Sequence, residues 1–196
     1  MKIVAVLGSP RLNGNSALIA GCFLETARHL GAETRSFALN TLSYRGCQAC
    51  RACKKHSEFC ILKDDLSEVL QAVREADVIV LASPVYYGDV TGQMKLFIDR
   101  TYCFLTPDYI TNPNRSRLLP GKTRVFALTQ GMADESGFAD VFPRYSEMMK
   151  FNGIEHVHLI RACGLSKRDD VLQRQDVLKQ AEDLANQMMI QYIGRR

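Results

Sequence analysis

The stretch KIVAVLGSPRLNGNS, from Lys2 to Ser16, places an apolar, β-branched run directly before a loop of glycine and polar residues. The run Lys2–Leu7 is apolar at nearly every position, which is typical of a strand buried on both faces of a parallel sheet. Apolar residues then recur at helical spacing over Asn15–Leu30, and Gly31 suits the end of a helix. The stretch therefore predicts a strand, a tight loop and a helix, which together begin a βαβ unit.

The alternation of strand and helix continues along the whole chain. Further strands are predicted at Thr34–Leu39, Asp77–Ser83, Thr123–Thr129 and Glu155–Ile160. Further helices are predicted at Asp64–Glu75, Thr91–Cys103, Ser136–Asn152 and Asp169–Met189. Strict alternation produces right-handed crossovers, so we expect an α/β fold with a doubly wound, five-stranded parallel sheet and helices on both faces. The chain shows no repeats, and residues 1–196 are expected to form a single domain.

Composition restricts the classes of function. Hydrophobic residues make up 46% and charged residues 23% of the chain, as in ordinary soluble domains. The net charge of +4 is spread along the sequence without a basic stripe, so no nucleic-acid partner is expected. The apolar opening breaks at Gly8, too early for a signal peptide, and no apolar run is long enough for a membrane span. We therefore expect a cytoplasmic protein without a membrane partner.

Three loops follow the first, third and fourth predicted strands, so they should meet at the ligand-binding end of the sheet. The first, GSPRLNGNS (Gly8–Ser16), enters a helix and includes Arg11, which suits a phosphate group. An ordinary capped turn would use the same residue types. The loop lacks the G-x-G-x-x-G and Walker patterns, which disfavours a dinucleotide-first or ATP site.

The other two loops suit a planar ligand. Two adjacent tyrosines stand beside a glycine in the second loop, SPVYYGDVTGQMKLFIDR (Ser83–Arg100). The two rings would line a planar ligand or pack as an aromatic pair. TQGMADES (Thr129–Ser136) has a glycine just past a strand, where backbone N–H groups come close to a ligand or simply form a turn.

The segment GCQACRACKKHSEFC (Gly46–Cys60) holds four of the seven cysteines, spaced C-x2-C-x2-C-x6-C: Cys47, Cys50, Cys53 and Cys60. Structural disulfides are rare in the cytoplasm, and zinc sites tend to use two separated pairs. Consecutive C-x2-C-x2-C spacing is closer to [4Fe–4S] ligation, while free thiols activated by nearby cations are the alternative. The spacing leaves both open. Because the segment follows the second strand, we expect it at the same end of the sheet as the three loops.

These stretches, with LKDDL and TQG, together resemble the NADPH-dependent FMN reductase and iron–sulfur flavoprotein family, in order from Lys2 to about Gly164. The resemblance implies a flavodoxin-like strand order 2-1-3-4-5, an FMN cofactor, NAD(P)H as co-substrate and a homodimer or homotetramer. It assigns to the FMN phosphate loop Ser9, Arg11, Asn13, Asn15 and Ser16. It assigns to the isoalloxazine loop Pro84, Val85, Tyr86, Tyr87 and Gly88. It assigns to the third flavin-facing loop Thr129, Gln130 and Gly131. Many relatives carry Trp at the position of Tyr87, and this chain has no Trp.

We therefore expect an FMN-dependent NAD(P)H oxidoreductase that passes electrons to a quinone, nitro compound, flavin or protein acceptor. A bound flavin carries the redox chemistry itself, so no catalytic acid–base pair is expected. One alternative is an iron–sulfur flavoprotein that relays single electrons between FMN and a [4Fe–4S] cluster. Another is a non-catalytic flavodoxin-type carrier, but such carriers are typically acidic, whereas this chain is basic.

Overall fold

The computed structural model describes residues 1–154 and 156–194. Its parallel sheet has the spatial order β2-β1-β3-β5-β6 and consists of β1 (Lys2–Leu7), β2 (Glu33–Ala38), β3 (Val78–Tyr86), β5 (Thr123–Thr129) and β6 (His156–Ala162). When the five parallel strands alone are numbered along the chain, this is the predicted order 2-1-3-4-5. It confirms a flavodoxin-like, doubly wound α/β fold. A short strand, β4 (Asp89–Val90), pairs antiparallel with the end of β3 and was not predicted. The predicted start of the last strand, Glu155, lies outside the described residues.

Helices cover both faces of the sheet, as predicted. They are α1 (Asn15–His29), α2 (Leu66–Glu75), α3 (Gly92–Arg100), α4 (Val141–Lys150) and α5 (Gln175–Ile193). Side chains alternate along each strand, so Ile3 and Ala5 pack towards α1 and α5, whereas Val4 and Val6 pack towards the other three helices. Burial on both faces is the physical reason why the strands read as continuous apolar runs.

Three helices differ from the prediction by three or more residues at one end or at both. The helix expected from Ser136 begins at Val141, because Phe138 adopts a left-handed backbone conformation with φ of 60° and interrupts the helical path. The helix expected over Thr91–Cys103 ends at Arg100 and continues as a short 3₁₀ turn. The last helix starts at Gln175 after a separate 3₁₀ turn at Asp170–Gln173. Local periodicity does not resolve such turns.

Within residues 1–154 and 156–194, none of the helices combines the length and the apolar character that crossing a bilayer requires.

Candidate functional site

A cavity of about 340 Å³ lies at the carboxyl ends of β1, β3 and β5. The three loops singled out from the sequence meet there and contribute Ser9, Arg11, Gly14, Asn15, Ser16, Pro84, Val85, Tyr86, Thr129, Gln130 and Gly131. A fourth segment, Leu165–Lys167, completes the rim. Of the residues predicted to contact the flavin, all line the cavity except Asn13, Tyr87 and Gly88.

The loop after β1 is fastened to the end of β3 by buried hydrogen bonds. The Gly8 N–H donates to the Ala82 carbonyl at 2.8 Å, and the Thr91 hydroxyl donates to the Gly8 carbonyl at 2.6 Å. Thr91 also accepts from the Met94 N–H at 3.3 Å and thereby caps α3. A Cβ at Gly8 would lie 2.8 Å from the Met94 Cβ, so only glycine allows this close approach.

The N-terminus of α1 forms one wall of the cavity. Its N-cap is Gly14, which has no side chain to satisfy the N–H groups of the first turn, and that turn carries no acidic residue. A Cβ at Gly14 would lie 2.7 Å from the Ser9 hydroxyl, so the loop closes tightly only with glycine there. Arg11 stands exposed on the rim, and Ser16 lies buried below it. Free N–H groups, the helix dipole and a guanidinium together form an anion-binding site.

Asn15 lines the cavity, and its side chain also holds the fourth segment in place. Its amide donates to the Lys167 carbonyl at 2.7 Å and accepts from the Val171 N–H at 3.1 Å. Asp170 accepts from the N–H groups of Ser166 and Lys167 and so shapes the same turn. Sequence reasoning missed this segment, although its place after the last strand puts it at the same end of the sheet.

The β3–β4 hairpin forms the opposite wall. β3 continues through Pro84 to Tyr86, and the chain turns at Tyr87 and Gly88, whose φ values of 55° and 83° are both positive, as in a type I′ turn. Pro84, Val85 and Tyr86 line the cavity, whereas Tyr87 is fully exposed at the tip.

Gln130 organises the third loop through its side chain. Its amide donates to the carbonyls of Met132 and Asp134, both at 3.1 Å, and accepts from Arg161 at 2.7 Å. Gly131 has no heavy atom closer than 3.9 Å to the position of a Cβ, so its backbone stays accessible from the cavity.

The clustered cysteines line a second, smaller cavity of about 20 Å³. Cys47, Cys50, Cys53 and Cys60 line it together with Cys103, and all five are free thiols. The volume is about that needed by one water molecule. The pKa of Cys103 is raised to about 12, mainly by burial and secondly by the nearby sulfurs of Cys60 and Cys53. Sequence reasoning treated Cys103 as a buried hydrophobe; its place beside the other four depends on tertiary packing.

The cysteine cavity lies at the far end of α3 from the first cavity. Thr91 at the start of α3 is bonded to Gly8 in the loop after β1, whereas Arg100 at the end of α3 lines the cysteine cavity. α3 is about 13 Å long at 1.5 Å per residue. The expectation that the cysteines lie at the same end of the sheet as the three loops is therefore wrong, because the segment packs against the C-terminal end of α3.

Arg100 is a buried cation that lines the cysteine cavity, and a second buried cation, Lys54, contacts Tyr102 in the cavity wall. Arg100 is 1% exposed and pairs with Asp64 at 2.8 Å, but its buried Nε has no hydrogen-bond partner among the described residues. Burial alone would lower the pKa of Arg100, but the hydrogen bond to Asp64 and the nearby Cys60 sulfur outweigh it and raise that pKa. Lys54 is 9% exposed, and burial lowers its pKa while the Cys53 sulfur opposes that change.

The donor set fits an iron–sulfur cluster better than a single metal ion. Within the described parts of the chain, no three His, Cys, Asp or Glu side chains are placed to hold one ion. In a [4Fe–4S] cluster each thiolate binds a different iron, so the four sulfurs must surround a volume rather than converge on a point. Four cysteines surround one cavity here, and the unpartnered Arg100 Nε would donate to a sulfur of such a group.

Comparison with known proteins identifies the class to which this fold and site belong. Residues 1–141 match the model of the NADPH-dependent FMN reductase family, so the chain belongs to that family and the resemblance seen in the sequence is confirmed.

Individual relatives agree with this assignment. An iron–sulfur flavoprotein from Methanosarcina thermophila is 39% identical over 101 residues, which is 52% of each chain. One from Archaeoglobus fulgidus is 40% identical over 51% of this chain and 45% of its own. The chain thus spans about half the length of these relatives in the matched region. The NAD(P)H:quinone oxidoreductase from Methanothermobacter marburgensis shares the fold, with a TM-score of 0.74, 18% identity and 96% coverage of both chains.

Proposed function

We propose that the chain binds FMN in the cavity at the carboxyl ends of β1, β3 and β5 and acts as an NAD(P)H-dependent oxidoreductase. The observation that carries this proposal is the convergence of the α1 N-terminus, the β3–β4 hairpin and the Gly131 loop on one cavity. An anion site and two walls suited to a flat ring system thus lie side by side, as a flavin mononucleotide requires.

Each wall has a defined part in holding the cofactor. The N–H groups at the start of α1, the hydroxyls of Ser9 and Ser16, and the Arg11 guanidinium would hold the phosphate. Pro84, Val85 and Tyr86 would lie along one side of the ring system, and Thr129 to Gly131 would contact its edge through the backbone. Bound FMN supplies the hydride chemistry, whereas the protein binds, orients and electrostatically supports it.

The remaining residues predicted to contact the flavin do not line the cavity. Asn13 would flank the phosphate loop, and Tyr87 and Gly88 would cover the outer edge of the ring system from the hairpin tip. Lys167, held by Asn15, would add a second positive charge to the rim. Electron acceptors that fit this proposal are a quinone, a nitro compound, a free flavin or a protein. Cytoplasmic location, a single domain and assembly as a homodimer or homotetramer stay predictions from the sequence.

The proposal is tested by titrating the purified chain with FMN and with riboflavin, which lacks the phosphate. We expect FMN to bind at least about tenfold more tightly, because charge-assisted hydrogen bonds contribute about 1.5–3 kcal/mol. Arg11→Ala should weaken FMN binding by about tenfold while leaving riboflavin binding unchanged. Arg168→Ala removes an equally exposed arginine that does not line the cavity and serves as the matched control.

Anaerobic addition of NADH or NADPH then separates an enzyme from a carrier. The bound flavin of an NAD(P)H oxidoreductase loses its visible absorbance, whereas that of a non-catalytic carrier does not. Equal affinity for FMN and riboflavin, or no binding of either, would contradict the assignment of the site.

A second proposal concerns the cysteine cavity, which we infer to hold a [4Fe–4S] cluster through Cys47, Cys50, Cys53 and Cys60. The shared cavity and the unpartnered Nε of Arg100 support it. Because the cavity as described has room for about one water, the exposed Cys47 and Cys50 would have to move outward to admit the cluster. Free thiols remain the alternative.

Anaerobic reconstitution with iron and sulfide, followed by iron counting, distinguishes the two. We expect about four irons per chain and broad absorbance near 400 nm, as for thiolate-bound clusters. Cys50→Ser should lower the iron content to half or less, whereas Cys163→Ser, a cysteine outside the cavity, should leave it unchanged. A chain that stays free of iron would establish the cysteines as free thiols.

A further inference from the structure

Lys54 is a buried ammonium group beside a proposed cluster ligand. Its Nζ donates to the carbonyls of Tyr102 at 2.6 Å and Leu105 at 2.7 Å, and it lies 4.1 Å from the centre of the Tyr102 ring. These contacts satisfy a charged ammonium in a site that is only 9% exposed. The side chain is thereby fixed at the base of the cysteine segment.

The charge of Lys54 has no carboxylate to balance it. Arg100, the other buried cation, is paired with Asp64 at 2.8 Å, whereas within the described residues Lys54 forms no ion pair. Lys54 contacts both the carbonyl and the ring of Tyr102, which lines the cysteine cavity together with Cys53 and Cys103. The positive charge of Lys54 therefore lies beside a wall of the cysteine cavity.

We propose that Lys54 sets the reduction potential of the cluster held by Cys53 and its three partners. This inference rests on the proposed cluster in the cysteine cavity. A one-electron reduction adds one negative charge to the cluster, and a fixed buried cation stabilises the reduced state more than the oxidised one. Arg51 and Lys55 are exposed, so water and salt screen their effect.

The test is a redox titration of reconstituted protein, with dithionite as reductant and mediators, followed by visible absorbance and electron paramagnetic resonance. Lys54→Met removes the buried charge, and Lys55→Met removes the same charge from the exposed neighbour. At the wild-type midpoint potential, Lys54→Met should lower the ratio of reduced to oxidised cluster about tenfold, a shift of about 59 mV to more negative potential. Lys55→Met should change that ratio by less than about twofold.

Two further variants separate a tuning role from a structural one. Lys54→Arg keeps the charge and should hold the wild-type potential, whereas Lys54→Gln should shift it as Lys54→Met does. Iron content is counted in every sample. Wild-type iron content with an unchanged potential in Lys54→Met would overturn the inference while leaving the cluster in place. Loss of more than half of the iron in both Lys54→Met and Lys54→Gln would show that Lys54 has a purely structural role. That result would also overturn the inference. A wild-type chain that binds no iron would contradict the proposed cluster and, with it, this inference.

Discussion

Tyr87 occupies a backbone conformation that few residues adopt readily. Its φ of 55° lies in the left-handed region, where a side chain costs about 1–2 kcal/mol relative to the right-handed region. Its ring is fully exposed, so packing within the folded chain does not offset that cost. Asn-Gly is the preferred pair for a two-residue turn of this kind, because asparagine tolerates the left-handed region. Strain retained at the lip of a cavity agrees with a role of the Tyr87 ring towards a bound ligand.

We predict that Tyr87→Asn stabilises the folded chain. The free energy of unfolding should rise by about 0.5–1 kcal/mol, because asparagine relieves part of the backbone cost. Urea denaturation of the ligand-free protein measures the change.

Tyr87→Ala is the control for this prediction, because alanine keeps a Cβ in the same strained conformation. It should not stabilise the protein. Equal stabilisation by Asn and Ala would identify exposure of the aromatic ring, rather than backbone strain, as the cause.

At the scale of elements, Asp64 and Arg100 join the cysteine segment to the end of α3. The Arg100 guanidinium contacts both carboxylate oxygens of Asp64, at 2.8 and 3.2 Å, and the Arg45 N–H donates to the same carboxylate. Burial alone would raise the pKa of Asp64, but these hydrogen bonds outweigh it and hold the pKa below its ordinary value of 3.8. The pair therefore fixes where the cysteine segment lies.

The lowered pKa of Asp64 predicts a loss of stability in acid. Because the unfolded carboxyl takes up its proton at higher pH than the folded one, its contribution is complete above the ordinary value of 3.8 and is lost as the pH falls from there through the lower pKa of the folded state. Asp64→Asn should lower the free energy of unfolding by about 3 kcal/mol at neutral pH, since it leaves Arg100 buried without its counter-ion. Urea denaturation from neutral pH down to about pH 3 should show this difference shrinking in acid.

Asp169→Asn provides the comparison, because Asp169 is exposed and forms no ion pair within residues 1–154 and 156–194. Its effect should be small at every pH. A deficit in Asp64→Asn that stays constant across the whole pH range would contradict the assignment to carboxylate ionisation.

At the scale of the whole molecule, the strands were predictable because burial on both faces leaves apolar runs such as Lys2–Leu7, whereas their order followed from the family resemblance. The meeting of three loops followed from strand direction alone. Other features depend on contacts between residues far apart in the sequence. The link from Asn15 to Val171 and the position of the cysteine segment at the C-terminal end of α3 are two examples, and neither leaves a local pattern. The late start of α4 likewise depends on the left-handed Phe138, which helical periodicity does not reveal.

The link between Asn15 and the Leu165–Lys167 segment bears on how the protein can be divided or recombined. The region matching the family ends at residue 141, yet the rim of the cavity is completed by a segment beyond it. A chimera joined at that boundary would unite a phosphate loop from one parent with a rim from another. Such a chimera would have to take Asn15 and the turn that presents the carbonyl of residue 167 from the same parent. A viable crossover point therefore lies C-terminal to Val171.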